Sequence, residues 1–114
     1  ELMLAYGLVN SILLNCPDRE TARALAASLL DAGLVACANI YPEIESHYVW
    51  QGARQVESEV PLALKSRADL LPEIEQMVRE LHPYDVPPLV AQRLDFAHRP
   101  FADWVAEMTG GDVA

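Results

Sequence analysis

The fold is decided by residues 34–65, which read LVACANIYPEIESHYVWQGARQVESEVPLALK. Residues 34–41 are apolar and β-prone, and residues 46–51 resume the pattern beyond Pro42, so we expect one long strand kinked near that proline. Residues 56–65 alternate in part, with valine and leucine on one face, and should return antiparallel through a glycine turn. The stretch therefore predicts an extended β-hairpin.

A strand and a helix precede the hairpin. Residues 8–14 form an apolar run about one strand long, and the run ends at a turn around Pro17. Asp18 then stands where a helix N-cap is expected, and Gly33 suits the end of that helix. The predicted inward stripe consists of Ala22, Leu25, Ala26, Leu29 and Leu30.

A second helix, a short strand and a third helix follow the hairpin. Asp69 is predicted to cap the second helix, which His82-Pro83 ends. Its predicted inward stripe consists of Ile74, Met77, Val78 and Leu81. Residues 89–94 resemble a strand, and Pro100 opens the last helix. The order predicts an α+β, ferredoxin-like βαββαβ sandwich with an extended hairpin and an extra C-terminal helix.

Length and composition limit the possible functions. The 114 residues suit one domain, which we take as residues 1–114 with an ordered core of about residues 8–109. The net charge of -9 would repel a phosphate backbone, so no nucleic-acid partner is expected. No apolar run reaches the roughly 20 residues of a membrane span. The two cysteines suggest a reducing compartment, most simply the cytoplasm.

The aromatic residues of the hairpin pose a packing problem. Tyr41, Tyr48 and Trp50 cannot all lie under two helices, and a projecting hairpin leaves backbone edges unpaired. A second copy of the chain would cover both, so we expect self-association through strand pairing. The alternative is that Tyr48 and Trp50 are ordinary half-exposed aromatics.

Four residues are candidates for catalysis or ligand binding, and each also has a simpler structural explanation. Cys16 precedes a helix, where it could be a reactive thiolate or soft-metal ligand, or merely a turn cysteine. His82 and Tyr84 suit the wall of a pocket, although helix capping alone would explain the histidine. Lys65, the chain's single lysine, could meet an anionic ligand or a neighbouring carboxylate. The sequence shows no closely spaced zinc ligands and no nucleophile paired with a base.

A set of motifs covers most of the chain. It consists of LVACANI at residues 34–40, then Pro42, Ser46, Tyr48, Trp50, Gly52, Glu59 and Lys65-Ser66, and finally His82-Pro83-Tyr84-Asp85-Val86-Pro87. In this order and spacing, over residues 10–104, the chain resembles the divalent-cation tolerance (CutA) family. The resemblance implies a ferredoxin-like subunit in a tight homotrimer related to PII signalling proteins. It also implies a cytoplasmic protein associated with tolerance to copper and other divalent cations, and it implies no reaction.

The resemblance also implies a ligand-binding cleft between subunits. Its predicted residues are Tyr48, Trp50, Glu59, Lys65, His82 and Tyr84. Lys65 would attract an anion there, while His82 and Glu59 would bind a cation such as Cu(II), with Cys16 as a further metal ligand. No cofactor is obligatory. Three departures from the family affect possible ligands: Leu14 and Leu81 replace a cysteine and a histidine of some relatives, and Pro88 replaces a glutamate. Two milder ones are Ser66 for a threonine and Phe101 for a tyrosine.

Three functions remain open at this point. The first is a trimeric protein that binds divalent cations or a small ligand in its clefts and contributes to metal tolerance. The alternative is a PII-like signalling module that acts through a signalling or transport protein partner. The third is an enzyme that uses Lys65, His82 and Tyr84 as acid and base groups, which no activated nucleophile supports.

Overall fold

A computed structural model of the protein describes residues 9–111, so Leu8 of the predicted first strand and the ends of the predicted domain lie outside the described residues. The elements are β1 (Val9–Cys16), α1 (Arg19–Asp31), β2 (Cys37–Ile40), β3 (Ile44–Trp50), β4 (Ala53–Arg67), a 3-10 turn (Ala68–Leu70), α2 (Leu71–Leu81), β5 (Leu89–Arg93) and α3 (Arg99–Met108). This order confirms the predicted α+β fold with its extra C-terminal helix.

β4 is the strand on which the sheet is built. The sheet runs in the order β2-β4-β1-β5, and β3 pairs with β4 beyond the end of β2. Every pairing is antiparallel. One half of the 15-residue β4 thus lies in the sheet centre, while the other half forms a hairpin with β3 alone. The predicted hairpin is present, and it projects from the core.

The predicted kink near Pro42 is a full break. Residues 41–43 leave the ladder, so β2 and β3 are separate strands on the same edge of β4. Pro61, which has no N–H to donate, lies in β4 at this break, and its carbonyl accepts a 3.0 Å hydrogen bond from the Tyr41 N–H. The two prolines therefore mark the point where the hairpin departs from the core.

Alternation along the strands creates one face that the first two helices cover. Its buried strand residues are Ile12, Leu14, Cys16, Val60, Leu62 and Leu64. Against them pack Leu25 and Leu29 of α1 and Ile74 and Val78 of α2, as the stripes predicted. Leu30 and Leu81 were wrongly assigned to those stripes, because both are exposed. Leu30 lies about 100° around the helix from Leu29, and Leu81 ends α2 just before a buried His82.

Of the two predicted helix caps, Asp18 is present and Asp69 is not. The Thr21 N–H donates a 2.7 Å hydrogen bond to Asp18 Oδ1, which confirms the first cap. Asp69 does not cap α2, because it lies in the 3-10 turn and accepts a 2.8 Å bond from Arg67 Nη1 instead. α2 begins with no side-chain cap.

The C-terminal helix packs on the opposite face of the sheet. Val9, which alternates away from the first core, joins Ala97, Ala102 and Val105 in a second buried cluster. Beyond this helix the same face stays uncovered within one protomer: Leu13 of β1 and its neighbour Val90 of β5 are both exposed. Within residues 9–111, no helix is long and apolar enough to cross a membrane.

Candidate functional site

A cleft of about 630 Å³ lies between the projecting hairpin and the loop that follows α2. We call it the hairpin cleft. The hairpin contributes Ser46, His47, Tyr48, Trp50, Glu57 and Glu59. The loop contributes Tyr84, Asp85, Val86 and Pro88, and β1 contributes Asn15. Tyr48, Trp50, Glu59 and Tyr84 of the predicted cleft are thus brought together.

Strand pairing explains why the hairpin residues converge. Ser46 pairs with Glu57, and Tyr48 and Trp50 follow at steps of two along β3. Glu59 lies two residues from Glu57 on β4, and so faces the same side. The register therefore places aromatic and acidic side chains on one face of the ribbon.

Glu59 is a buried carboxylate with two donors. Only 6% of the surface of Glu59 is exposed to solvent. The Tyr84 hydroxyl donates a 2.9 Å hydrogen bond to Oε2, and Asn15 Nδ2 donates a longer one of 3.4 Å to Oε1. Burial, together with the hydrogen bond to Glu59 and its charge, raises the pKa of Tyr84 above its ordinary value of 10.0. Tyr84 is therefore a neutral donor at neutral pH.

His82 lies beneath the cleft wall and does not line the cleft. Its Nδ1 accepts a 3.2 Å hydrogen bond from the Tyr84 N–H, which assigns the ring proton to Nε2. Nε2 then donates a 2.9 Å bond to the Asn15 carbonyl, and the two rings of His82 and Tyr84 meet edge to face at 4.6 Å. Both nitrogens are occupied, so His82 positions the Tyr84 loop and offers no free nitrogen to a metal ion.

The hairpin cleft is lined by acidic side chains. Glu57, Glu59 and Asp85 line it, and no lysine or arginine among the described residues does. The Tyr48 hydroxyl donates a 2.7 Å hydrogen bond to Glu57 Oε1, and this contact is the main cause that raises the pKa of Tyr48. The cleft therefore presents negative charge at neutral pH and favours a cationic occupant.

Lys65 does not line the hairpin cleft of a single protomer, and its predicted place in a cleft between subunits stays a prediction. It is on β4, six residues beyond Glu59, paired with Ser11 on one side and Cys37 on the other. A strand rises about 3.3 Å per residue, which separates the two positions by about 20 Å. Within one protomer, no anion site is built from Lys65 in this cleft.

Cys16, predicted as a metal ligand with His82 and Glu59, faces the other side of the sheet. It is buried in the helix-covered core, whereas Glu59 opens into the cleft. Burial, helped by the charges of Asp18 and Glu59, raises the pKa of the Cys16 thiol from 9.0 to about 11. No group of three or more His, Cys, Asp or Glu residues within positions 9–111 is arranged to hold a metal ion.

Seven of the eleven residues that line the hairpin cleft were absent from the predicted set, and for two of these, Glu57 and Asp85, the sequence held a signal. Glu57 alternates with Glu59 at a strand period, and Asp85 directly follows Tyr84. Asn15 gave no local signal, because only the pairing of β1 with β4 brings it to Glu59.

Known proteins resemble this chain in both sequence and fold. The family model for the CutA1 divalent ion tolerance protein matches residues 10–108. A divalent-cation tolerance protein CutA from Thermus thermophilus is 37% identical over 99 residues, which is 87% of this chain and 96% of that protein. Mouse protein CutA is 32% identical over 103 residues, 90% of this chain, and the chain spans only 58% of the mouse protein.

The solved structures agree with these sequence matches. The divalent cation tolerance protein from Thermus thermophilus superimposes with a TM-score of 0.88 at 36% identity, covering 90% of this chain and 100% of that one. A periplasmic divalent cation tolerance protein CutA from Archaeoglobus fulgidus gives a TM-score of 0.87 at 29% identity over 90% and 99% of the two chains. Because the family model matches nearly the whole described chain at the residues that form the fold and the hairpin cleft, the chain belongs to the CutA1 divalent ion tolerance family.

Proposed function

We propose that this protein acts in divalent-cation tolerance as a binding protein without catalytic activity, and that the hairpin cleft takes up a positively charged ligand. The observation that carries the proposal is the charge of the cleft: three carboxylates line it, and no lysine or arginine of the described residues offsets them. Cys16 and His82 are both poorly suited to catalysis, since Cys16 is a buried thiol with a raised pKa and both nitrogens of His82 are occupied.

Copper or another divalent cation is the first ligand to test. Within one protomer the cleft offers carboxylate oxygens from Glu57, Glu59 and Asp85, which suit hard and intermediate cations better than soft ones. This set replaces the predicted ligands Cys16 and His82, while Glu59 remains. Further ligands would come from water or from a neighbouring protomer.

The second part of the proposal is a homotrimer. Leu13 and Val90 are exposed side by side on the sheet face that α3 leaves open, and Tyr41, Ile44 and Val56 of the hairpin region are exposed as well. Apolar surface of this extent on a small domain favours association with another copy. The cleft would then lie near the boundary between protomers.

Calorimetric titration with Zn²⁺ and Cu²⁺ tests the metal ligand. The wild type should bind saturably and more tightly than about 1 mM. Glu59→Gln, which removes the buried charge but keeps the side-chain shape, should weaken binding. Glu80→Gln on the exposed surface of α2 is the matched control, because it changes the net charge equally outside the cleft. Equal effects of the two variants, or no saturable binding by the wild type, would refute the metal ligand.

The cytoplasmic location, inferred from two cysteines, stays a prediction; both cysteines are free in the structure. The PII-like signalling alternative also stays a prediction, and no contact in the described residues favours it over cation binding.

A further inference from the structure

The volume of the hairpin cleft exceeds what an ion requires. At about 630 Å³ it falls in the range of pockets that bind small organic molecules, roughly 300–1,000 Å³. A metal site in a protein gathers several ligands around one point, whereas no group of three or more suitable side chains does so within residues 9–111. The size of the cleft therefore points to a ligand with a carbon framework.

The walls of the cleft suit methylene groups next to positive charge. Tyr48, Trp50 and Tyr84 contribute aromatic rings, and Val86 and Pro88 add aliphatic surface. Aromatic faces attract alkylammonium groups through the ring quadrupole and pack against alkyl chains. A hydrated metal ion would leave these walls without a role.

The carboxylates are spaced along a line. Glu57 and Glu59 lie two residues apart on the same face of β4, which separates them by about 6.8 Å. Tyrosine hydroxyls hold one oxygen of each, through Tyr48 to Glu57 and Tyr84 to Glu59. The second oxygen of Glu57 has no hydrogen-bond partner among the described residues. Two carboxylates at this spacing suit consecutive ammonium groups of a linear ligand, because each can accept a charge-assisted hydrogen bond.

We infer that the hairpin cleft binds an aliphatic polyamine, whose ammonium groups pair with Glu57, Glu59 and Asp85 while its methylenes lie on the aromatic wall. The inference rests on the proposed cation-binding role of this cleft and names the chemical class of its ligand.

Trp50 provides a direct readout. The chain has two tryptophans, and Trp104 lies on α3 outside the cleft. A Trp104→Phe background therefore leaves Trp50 as the single fluorescent tryptophan. Titration with spermidine at physiological salt should change its emission saturably, whereas sodium glutamate and an uncharged polyether of similar length should not.

Two variants in that background test the contacts. Glu57→Gln should weaken spermidine binding about tenfold or more, because it removes a charge-assisted hydrogen bond. Tyr48→Leu should weaken it about threefold to tenfold by removing an aromatic wall. Glu80→Gln, with the same change of net charge, should stay within about twofold of the background protein. Glu57 and Tyr48 are both exposed positions on the hairpin, and circular dichroism checks that each variant is folded.

The outcomes separate this inference from the proposed function. Equal weakening by Glu57→Gln and Glu80→Gln would mean general attraction to an acidic protein, and would overturn the inference. Saturable Zn²⁺ binding without spermidine binding would overturn it too, while the cation-binding role would stand. Spermidine binding without Zn²⁺ binding would support the inference and refute the metal ligand.

Discussion

The Tyr84 hydroxyl donates a short hydrogen bond of 2.9 Å to Glu59 Oε2, and Glu59 is only 6% exposed. The loop after α2 and the base of the hairpin are joined by this bond. A buried carboxylate keeps its charge only when donors replace the water it has lost. The contact therefore matters to stability as well as to the shape of the cleft.

Tyr84→Phe should lower the free energy of unfolding by about 1–3 kcal/mol, because Glu59 would keep only the longer contact from Asn15. Urea unfolding at neutral pH measures this difference. Tyr41→Phe is the control, since Tyr41 is exposed and its hydroxyl makes no hydrogen bond in the described residues. A Tyr84→Phe protein as stable as the control would show that this bond contributes little.

His82→Phe should cost about 2–4 kcal/mol in unfolding free energy. The ring satisfies the Asn15 carbonyl and the Tyr84 N–H, and phenylalanine would leave both without a partner. The same urea experiment on His98→Phe supplies a control, because His98 is exposed. Comparable losses from the two substitutions would contradict the positioning role of His82.

The Cys16 thiol predicts how stability depends on alkaline pH. Its pKa is about 11 in the fold and close to 9.0 in the unfolded chain, so the unfolded state binds fewer protons between these values. Stability should therefore fall as the pH rises from 9 towards 11, by an amount on the order of 2 kcal/mol from this group. Tyr48 and Tyr84, whose pKa values are also raised, add to the fall above pH 10.

Cys16→Ala isolates the contribution of the thiol. The variant will be less stable at pH 8 because it leaves a small cavity, yet the gap to wild type should narrow at pH 10.5. Urea unfolding at both pH values gives the comparison. A gap that stays constant would refute ionisation of Cys16 as a source of the pH dependence.

Leu13→Asp tests the proposed homotrimer. Light scattering after size-exclusion chromatography should give the wild type about three times the 12.6 kDa chain mass, and the variant a lower mass at the same concentration. Leu30→Asp is a matched control, because both leucines are 43% exposed but Leu30 lies on the outer surface of α1. A wild type of single-chain mass, or a trimeric Leu13→Asp protein, would count against the open sheet face as the interface.

The sequence predicts the fold well because strand alternation and helix periodicity are local signals. Val60, Leu62 and Leu64 face the core as expected, and Asp18 caps α1. One wrong prediction arises because a side chain has a second possible hydrogen-bond partner, which a local sequence pattern does not show. Asp69 bonds to Arg67 and so does not cap α2.

The site was harder to predict because it depends on distant pairings and on which face of a strand each residue occupies. Lys65 and Glu59 share a strand and a face, yet the length of β4 separates them. Cys16 and Glu59 are near neighbours across the sheet, yet they point to opposite sides. The resemblance to a family pointed to Tyr48, Trp50 and Tyr84, while Asn15 became visible only once β1 and β4 were paired.

The division of β4 into a core half and a projecting half has a consequence for engineering the protein. Residues 53–58 pair with β3 alone, and none of them contributes to either buried cluster. Substitutions at Tyr48, Trp50 or Glu57 should therefore change the lining of the cleft at little cost in folding stability. The lining of the cleft and the packing of the core can thus be varied separately, so that grafting a different hairpin onto this sheet is a practical route to a new binding surface.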